Sequence, residues 1–271
     1  MMRISSSILY LGLIPGLWLI TCTLILGLPQ LRLETFLISP SDAGRAGGLL
    51  SIIISTLLIL TITLVISVPL ASATALAMTY FRRYFLKLSR LLSLSLDVLS
   101  AIPSVIFGLF GNVLFVEKLN LGHSILSGGL TLAFMILPTM VRTLESSYHE
   151  IEKGYAKTTE ALGINFSTFI YQIVFPLGLP ALIFATILGM TRAMAETAAL
   201  LFTSGYSDRM PESVLDSGRS MSVHIYELAM NVPGGDKNAY LTAALLVFIL
   251  LTINSAITYF GYHLNKRLGI L

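Results

Sequence analysis

The chain has 271 residues, of which 55% are hydrophobic and only 11% charged, with a formal net charge of +3. Soluble domains carry about 25% charged residues, so this composition excludes a soluble globular protein, and length sets a number of membrane crossings rather than of domains. The single cysteine, Cys22, excludes an intramolecular disulfide.

Apolar stretches comparable to the roughly 20 residues needed to cross hydrocarbon fall at residues 8–28, 47–78, 91–116, 124–141, 178–203 and 238–262. The first follows MMRISSS, is longer than the about 7–15 residues of a cleavable signal, and has no A-x-A site after it, so it is expected to stay as a span. The second carries Pro69 as a kink position and is long enough to tilt or project. Pro103, Gly108 and Gly111 interrupt the third, where a freed carbonyl and missing side chains suit either a hinge or ordinary close packing. The strand alternation of a membrane barrel is absent, so the expected fold class is an all-α integral membrane bundle of six transmembrane helices. The expected division is a first helix and outer loop (1–46), a core of five helices (47–264) that includes a cytoplasmic loop at 142–176, and a tail (265–271).

Lys and Arg residues set the expected orientation. FRRYFLKLSR, with Arg82, Arg83, Lys87 and Arg90 and no acid, follows the second span, and the segment at 206–237 is rich in acids. Positive residues favour the cytoplasmic side, which puts both termini inside. The outer segment 206–237 is punctuated by Gly, Pro and Ser and includes a short helical stretch around residues 221–230. The inner loop is far longer than a bundle connection needs, and its aromatic residues argue for order.

Enzymatic signals are missing. There is no G-x-x-x-x-G-K-[ST] phosphate loop, His123, His149, His224 and His263 lack metal-ligand spacing, and no nucleophile–base pairing stands out. Catalytic residues, a metal site and nucleic-acid binding are therefore not expected. The inner loop, RTLESSYHEIEKGYAKTTEALGINFSTFIYQIVFPLGLP, is the most specific feature. Helical pattern runs to Leu162, Gly163 breaks it as a residue after a helix C-cap does, and a second helical stretch is expected to end at Phe175-Pro176. Such a helix–glycine–helix elbow suits docking into a groove of another protein; an amphipathic helix lying on lipid is the alternative.

TRAMAETAAL, residues 191–200, places Arg192 and Glu196 inside an apolar run. Each charge there costs roughly 2.5–3.5 kcal/mol on insertion scales. Spaced i, i+4, they are expected to share a helix face and pair, beside a small-residue ladder of Ala181, Ala185, Gly189 and Ala193 that admits another helix. A structural ion pair is one reading. The other is a fixed positive site for an anion, since a guanidinium pairs two oxyanion oxygens at once and Glu196 offsets its charge when no anion is present. Arg142 closes the fourth span, where an arginine ordinarily snorkels and fixes topology. Asp97 is a third intramembrane charge, a partner for an arginine or part of a gate, and by its sign a poor direct anion ligand.

Gly163 followed by Ile173-x-Phe175-Pro176 resembles the EAA-x3-G-x9-I-x-L-P signature of ABC importer permeases, with Lys157-Thr158-Thr159 where Glu-Ala-Ala would stand and Phe175 for Leu. AIPSVIFGLFG, LAFMILPTMVRTLE and TRAMAETAALL resemble, in order and spacing over roughly residues 50–260, the phosphate-importer permeases of the PstA family. That resemblance implies a type I, MetI-like six-helix permease with cytoplasmic coupling helices in the bacterial-type inner membrane. It implies coupling to the ATPase through Lys157, Thr158, Thr159, Glu160, Ala161, Gly163, Ile173 and Pro176, and a transport role for Arg192 and Arg142. The implied partners are a homologous PstC-like permease subunit, a PstB-like cytoplasmic ATPase dimer that binds the ATP, and a PstS-like extracytoplasmic phosphate-binding protein. Arg192, Glu196, Arg142 and Asp97 form the expected substrate pathway. Competing expectations are an ABC permease for molybdate, sulfate or an amino acid, an ion-driven secondary transporter, and a non-transporting sensor or scaffold.

Overall fold

The computed structural model describes residues 2–80 and 85–267, with side chains from residue 14 to 256 and at 259. Arg82 and Arg83 of the basic cluster and residues 268–271 of the tail lie outside the described residues. The long helices are α1 (Met2–Gly27), α2 (Leu50–Tyr80), α3 (Leu86–Ala101), α4 (Ser104–Gly111), α5 (Ile125–Ala161), α6 (Phe166–Met194), α7 (Met221–Met230) and α8 (Asp236–Arg267). Among the described residues α2, α5, α6 and residues 236–256 of α8 are each long and apolar enough to cross a membrane. The pair α3 and α4 makes a fifth crossing if the two count as one span, and α1, at 26 residues, is long enough for the remaining one.

The centre of the bundle is the α2–α5 seam. Along α2, Ser51, Ser55, Ile59, Thr63, Ser67, Ala71 and Ala75 recur every fourth residue and are all at most 1% exposed. This small-residue stripe brings the helices close enough for the Thr63 hydroxyl to lie 3.1 Å from the Gly129 carbonyl of α5, while also 2.8 Å from its own Ile59 carbonyl. A Cβ on Gly129 would fall 2.7 Å from Ile62 Cγ2. Ile125, Leu132, Ile136, Met140 and Leu144 fill the α5 side and are fully buried. In lipid, where no water drives helices together, such close approach through small residues is the main source of association. The α6 ladder packs in the same manner: Ala185, Gly189 and Ala193 are buried, and a Cβ on Gly189 would lie 3.0 Å from Met140 Sδ.

Two expectations need correction, and one left open is narrowed. The third span is interrupted at its proline. It bends by 104° where Ile102 and Pro103 leave the helical conformation, because proline restricts the residue before it and has no N–H to continue the ladder. Gly108 and Gly111 do not bend the chain; they are points of close approach, where a Cβ would meet Ala199 Cα at 2.9 Å and Thr131 Oγ1 at 2.2 Å. The fourth span does not stop near Val141 but continues without interruption to Ala161. And the stretch after the elbow does not end at Pro176. A π-helical turn at Ile170–Val174 precedes it, so the register widens where proline lacks its N–H and the helix runs on to Met194.

One end of α5 is fastened to the segment that follows α6. Ser124 N–H donates to the Thr203 carbonyl (3.1 Å), Ile125 N–H to Asp216 (2.9 Å) and Leu126 N–H to Val214 (2.8 Å). Helix α7, on the residues marked in the sequence, packs in this layer against α8. Its His224 is fully buried against Gly44, and the Arg219 guanidinium lies 3.3 Å from His224 Nδ1. A guanidinium only donates, so Nδ1 accepts and the ring proton is on Nε2. Burial, then the Arg219 charge, push the His224 pKa down from 6.5 to about 3. A depressed histidine contributes stability that is whole above its unfolded pKa and is lost as pH falls toward the folded one. Thermal stability of the purified protein is therefore expected to fall between pH 6.5 and lower values, and His224→Gln, which keeps an acceptor for Arg219 without a titrating ring, should flatten that fall in thermal scans at stepped pH.

Candidate translocation site and elbow

The charged residues of the apolar core divide into two groups on α5, one turn apart. Arg142, about one-third exposed (34%), donates from Nη1 to Glu145 Oε2 at 2.8 Å. From Nη2 it donates to the Ser93 carbonyl (2.9 Å), to Ser93 Oγ (2.8 Å) and to the Asp97 carboxylate of α3. With both carboxylates on this guanidinium its donors are satisfied, and the cluster carries one more negative than positive charge. Three residues earlier on α5, Thr139 Oγ1 lies 3.5 Å from Arg192 Nη1. Arg192 is exposed and forms no ion pair among the described residues.

The expected Arg192–Glu196 pair does not form. Helix α6 ends at Met194, and Ala195, Glu196 and Thr197 lie in a break before a single helical turn, Ala198–Leu201. The i, i+4 geometry that would join the two charges requires an unbroken helix. Glu196 Oε1 instead accepts from the Ala199 N–H at 3.2 Å, and the Glu196 carbonyl accepts from the Ser222 hydroxyl of α7. These contacts satisfy backbone groups that a break inside a membrane would leave unpaired. Arg192 thus presents its guanidinium beside the Thr139 hydroxyl with no carboxylate on it among the described residues, and its planar donors are able to take two oxygens of an oxyanion.

At the far end of α5 the elbow closes with two backbone bonds, Gly163 N–H to Glu160 C=O (3.1 Å) and Ile164 N–H to Thr159 C=O (3.0 Å). This is the Schellman arrangement, and Gly163 takes the left-handed conformation it needs, at φ 64°. Asn165 then caps the next helix, its Oδ1 accepting from Thr168 N–H at 2.8 Å. Phe166 and Phe169 meet the ring of Tyr80 edge-on at 6.0 and 5.7 Å, so the elbow rests on the end of α2. Lys157, Thr158, Glu160, Ala161 and Gly163 are exposed, as is Pro176; Thr159 is buried and Ile173 half-buried. Leu162 is 69% exposed at the tip, an apolar side chain at a corner held rigid on its other side.

Several residues of these groups had no prior signal or an unread one. Glu145 lies one turn from Arg142 in the sequence and could have been found by that spacing. Thr139, Ser93 and Ser222 are brought in by tertiary packing between helices, which periodicity does not report.

Long apolar helices joined through small-residue seams, with an arginine on an apolar span that has no carboxylate partner among the described residues and an elbow closing one end, define a helical membrane permease. Residues 67–270 match the family described as binding-protein-dependent transport system inner membrane component, and the chain belongs to that family. It is accordingly a multi-pass inner-membrane permease subunit of an ABC importer, which works with an ATPase, a substrate-binding protein and a further permease subunit and is not itself an enzyme. Among curated relatives it is 27% identical over 260 residues to the probable ABC transporter permease protein YqgI of Bacillus subtilis, covering 90% of this chain and 88% of that protein. It is 28% identical over 258 residues to the phosphate transport system permease protein PstA of Pasteurella multocida (94% and 90%). The corresponding PstA of Haemophilus influenzae is 27% identical over 262 residues (94% and 91%).

Proposed function

We propose that this chain is the permease subunit of an ATP-driven importer of inorganic phosphate. Arg192 carries the reading: an arginine without a carboxylate partner, next to Thr139, in a helix otherwise fit for hydrocarbon. A guanidinium within a membrane-spanning helix is costly unless a ligand or partner compensates it, and a tetrahedral oxyanion is the ligand its planar donors suit best. The names of the Pasteurella and Haemophilus relatives favour phosphate among oxyanions. The elbow at residues 152–165 faces the cytoplasm in this reading, with both termini, and docks on a PstB-like ATPase dimer that binds the ATP. A PstC-like permease subunit completes the pathway, and a PstS-like binding protein delivers phosphate to the opposite face. The unit formed by residues 47–264 is the permease core.

Another oxyanion in the same machine is the second reading, because the name of the Bacillus relative specifies no solute. The deciding experiment reconstitutes the complete transporter in proteoliposomes with its binding protein. ATP hydrolysis is then compared with phosphate, sulfate and molybdate. Stimulation by phosphate alone is the expected result; stimulation by sulfate or molybdate alone replaces the cargo, and uptake that persists without ATP overturns the ABC coupling.

A further inference from the structure

Helix α3 is weakly held. Along its length only Leu96 is buried, and it is separated from α4 by the 104° bend at Ile102 and Pro103. Helix α4 is fixed by contrast, since Gly108 and Gly111 bring it against Ala199, Thr131 and Thr203. The polar clasp on α3 comes from Arg142 of α5. A single nitrogen, Nη2, serves the Ser93 carbonyl, Ser93 Oγ and the Asp97 carboxylate, while Nη1 serves Glu145. These are the two terminal nitrogens with which a guanidinium grips a pair of oxyanion oxygens. Asp97 is 63% exposed, so burial does not trap it there.

We infer that Asp97 is a built-in competitor of the transported anion. In this conformation its carboxylate occupies Arg142 Nη2 as a surrogate oxyanion, while Glu145 of the same helix stays on Nη1. When α3 swings about Ile102 and Pro103, Asp97 leaves and Nη2 of Arg142 becomes a second donor for the anion, one helical turn from the Thr139–Arg192 contact. Asp97 is a positioning residue in this scheme, acting on the anion only through Arg142. The scheme rests on the anion-import reading, and it makes a prediction of opposite sign to that of a structural salt bridge: removing the carboxylate should tighten anion binding.

The test measures equilibrium binding of labelled phosphate to the purified permease–ATPase complex in detergent, without binding protein, by scintillation proximity, with unlabelled sulfate and molybdate as competitors. Asp97→Asn and Asp97→Ser are expected to tighten phosphate binding about tenfold, either variant sufficing if the other does not assemble. Asp97→Glu should retain wild-type affinity, and Arg142→Ala combined with Asp97→Asn should lose the gain. Unchanged or weaker binding in the assembled Asp97→Asn and Asp97→Ser complexes overturns the competitor role. Arg192→Ala separates this failure from failure of the anion reading. If it removes binding while the Asp97 variants do not tighten it, only the competitor is refuted; if it too leaves binding unchanged, the anion site itself is refuted.

Discussion

Arg192→Ala abolishes phosphate uptake in the expected result, while the subunit still assembles with its ATPase. The side chain makes one long contact, to Thr139 at 3.5 Å, and no ion pair among the described residues. Its removal therefore orphans no buried partner, and removing a charge from an apolar helix lowers the insertion cost. Stability should hold or rise slightly. A hydrogen bond to a charged group contributes about 1.5–3 kcal/mol, so a lost two-point grip on an anion predicts at least roughly a hundredfold fall in uptake. Arg192→Lys keeps the charge without the planar fork and should fall between the two. The check is uptake of labelled phosphate beside co-purification of the ATPase; normal uptake in an assembled Arg192→Ala transporter would sink the anion site.

The second large effect is at the elbow. Gly163 sits at φ 64°, and a Cβ there would meet nothing within 4 Å. Substitution is therefore penalised by backbone conformation alone. A β-branched residue in the left-handed region costs roughly 1–2 kcal/mol or more, whereas asparagine tolerates it. Gly163→Val should open the two bonds that close the corner and uncouple ATP hydrolysis from uptake, with little change in overall thermal stability. Gly163→Asn should stay close to wild type. Both are read as phosphate transported per ATP hydrolysed in proteoliposomes. Equal coupling ratios in the two variants would remove the docking role from this corner.

Much of the architecture was readable in the residues because membrane helices announce themselves by composition and length. The Gly163 corner was legible because a change in helical pattern met a glycine, and the α6 ladder because its small residues recur every four positions. The same period on α2, from Ser51 to Ala75, marks the principal seam, but with Ile59 and Thr63 in the row it is not a ladder of glycines and alanines alone. What could not be read were the places where helices fail to behave ideally. Nothing local distinguishes TRAMAET as the end of a helix rather than its middle, since the break is compensated by Ser222, distant in the chain. Nor does a proline at 176 reveal that a π turn precedes it. The candidate site depended on the first: pairing by sequence spacing put Glu196 on Arg192, and although Asp97 was open as a partner for an arginine, spacing alone did not assign it, with Glu145, to Arg142.

Helix α5 is continuous over 37 residues, with Pro138 inside it, about 55 Å long at 1.5 Å per residue. Its start is pinned by the three bonds at Ser124, Ile125 and Leu126, and its tip forms the elbow. Arg142 lies close to the midpoint. A rigid arm hinged at one end divides motion in proportion to distance: a tilt of about 5° displaces the tip by roughly 5 Å and Arg142 by roughly half that. Half of such a stroke is comparable to the length of a hydrogen bond, so a modest swing of the elbow is mechanically sufficient to break or remake every contact that Arg142 makes with α3.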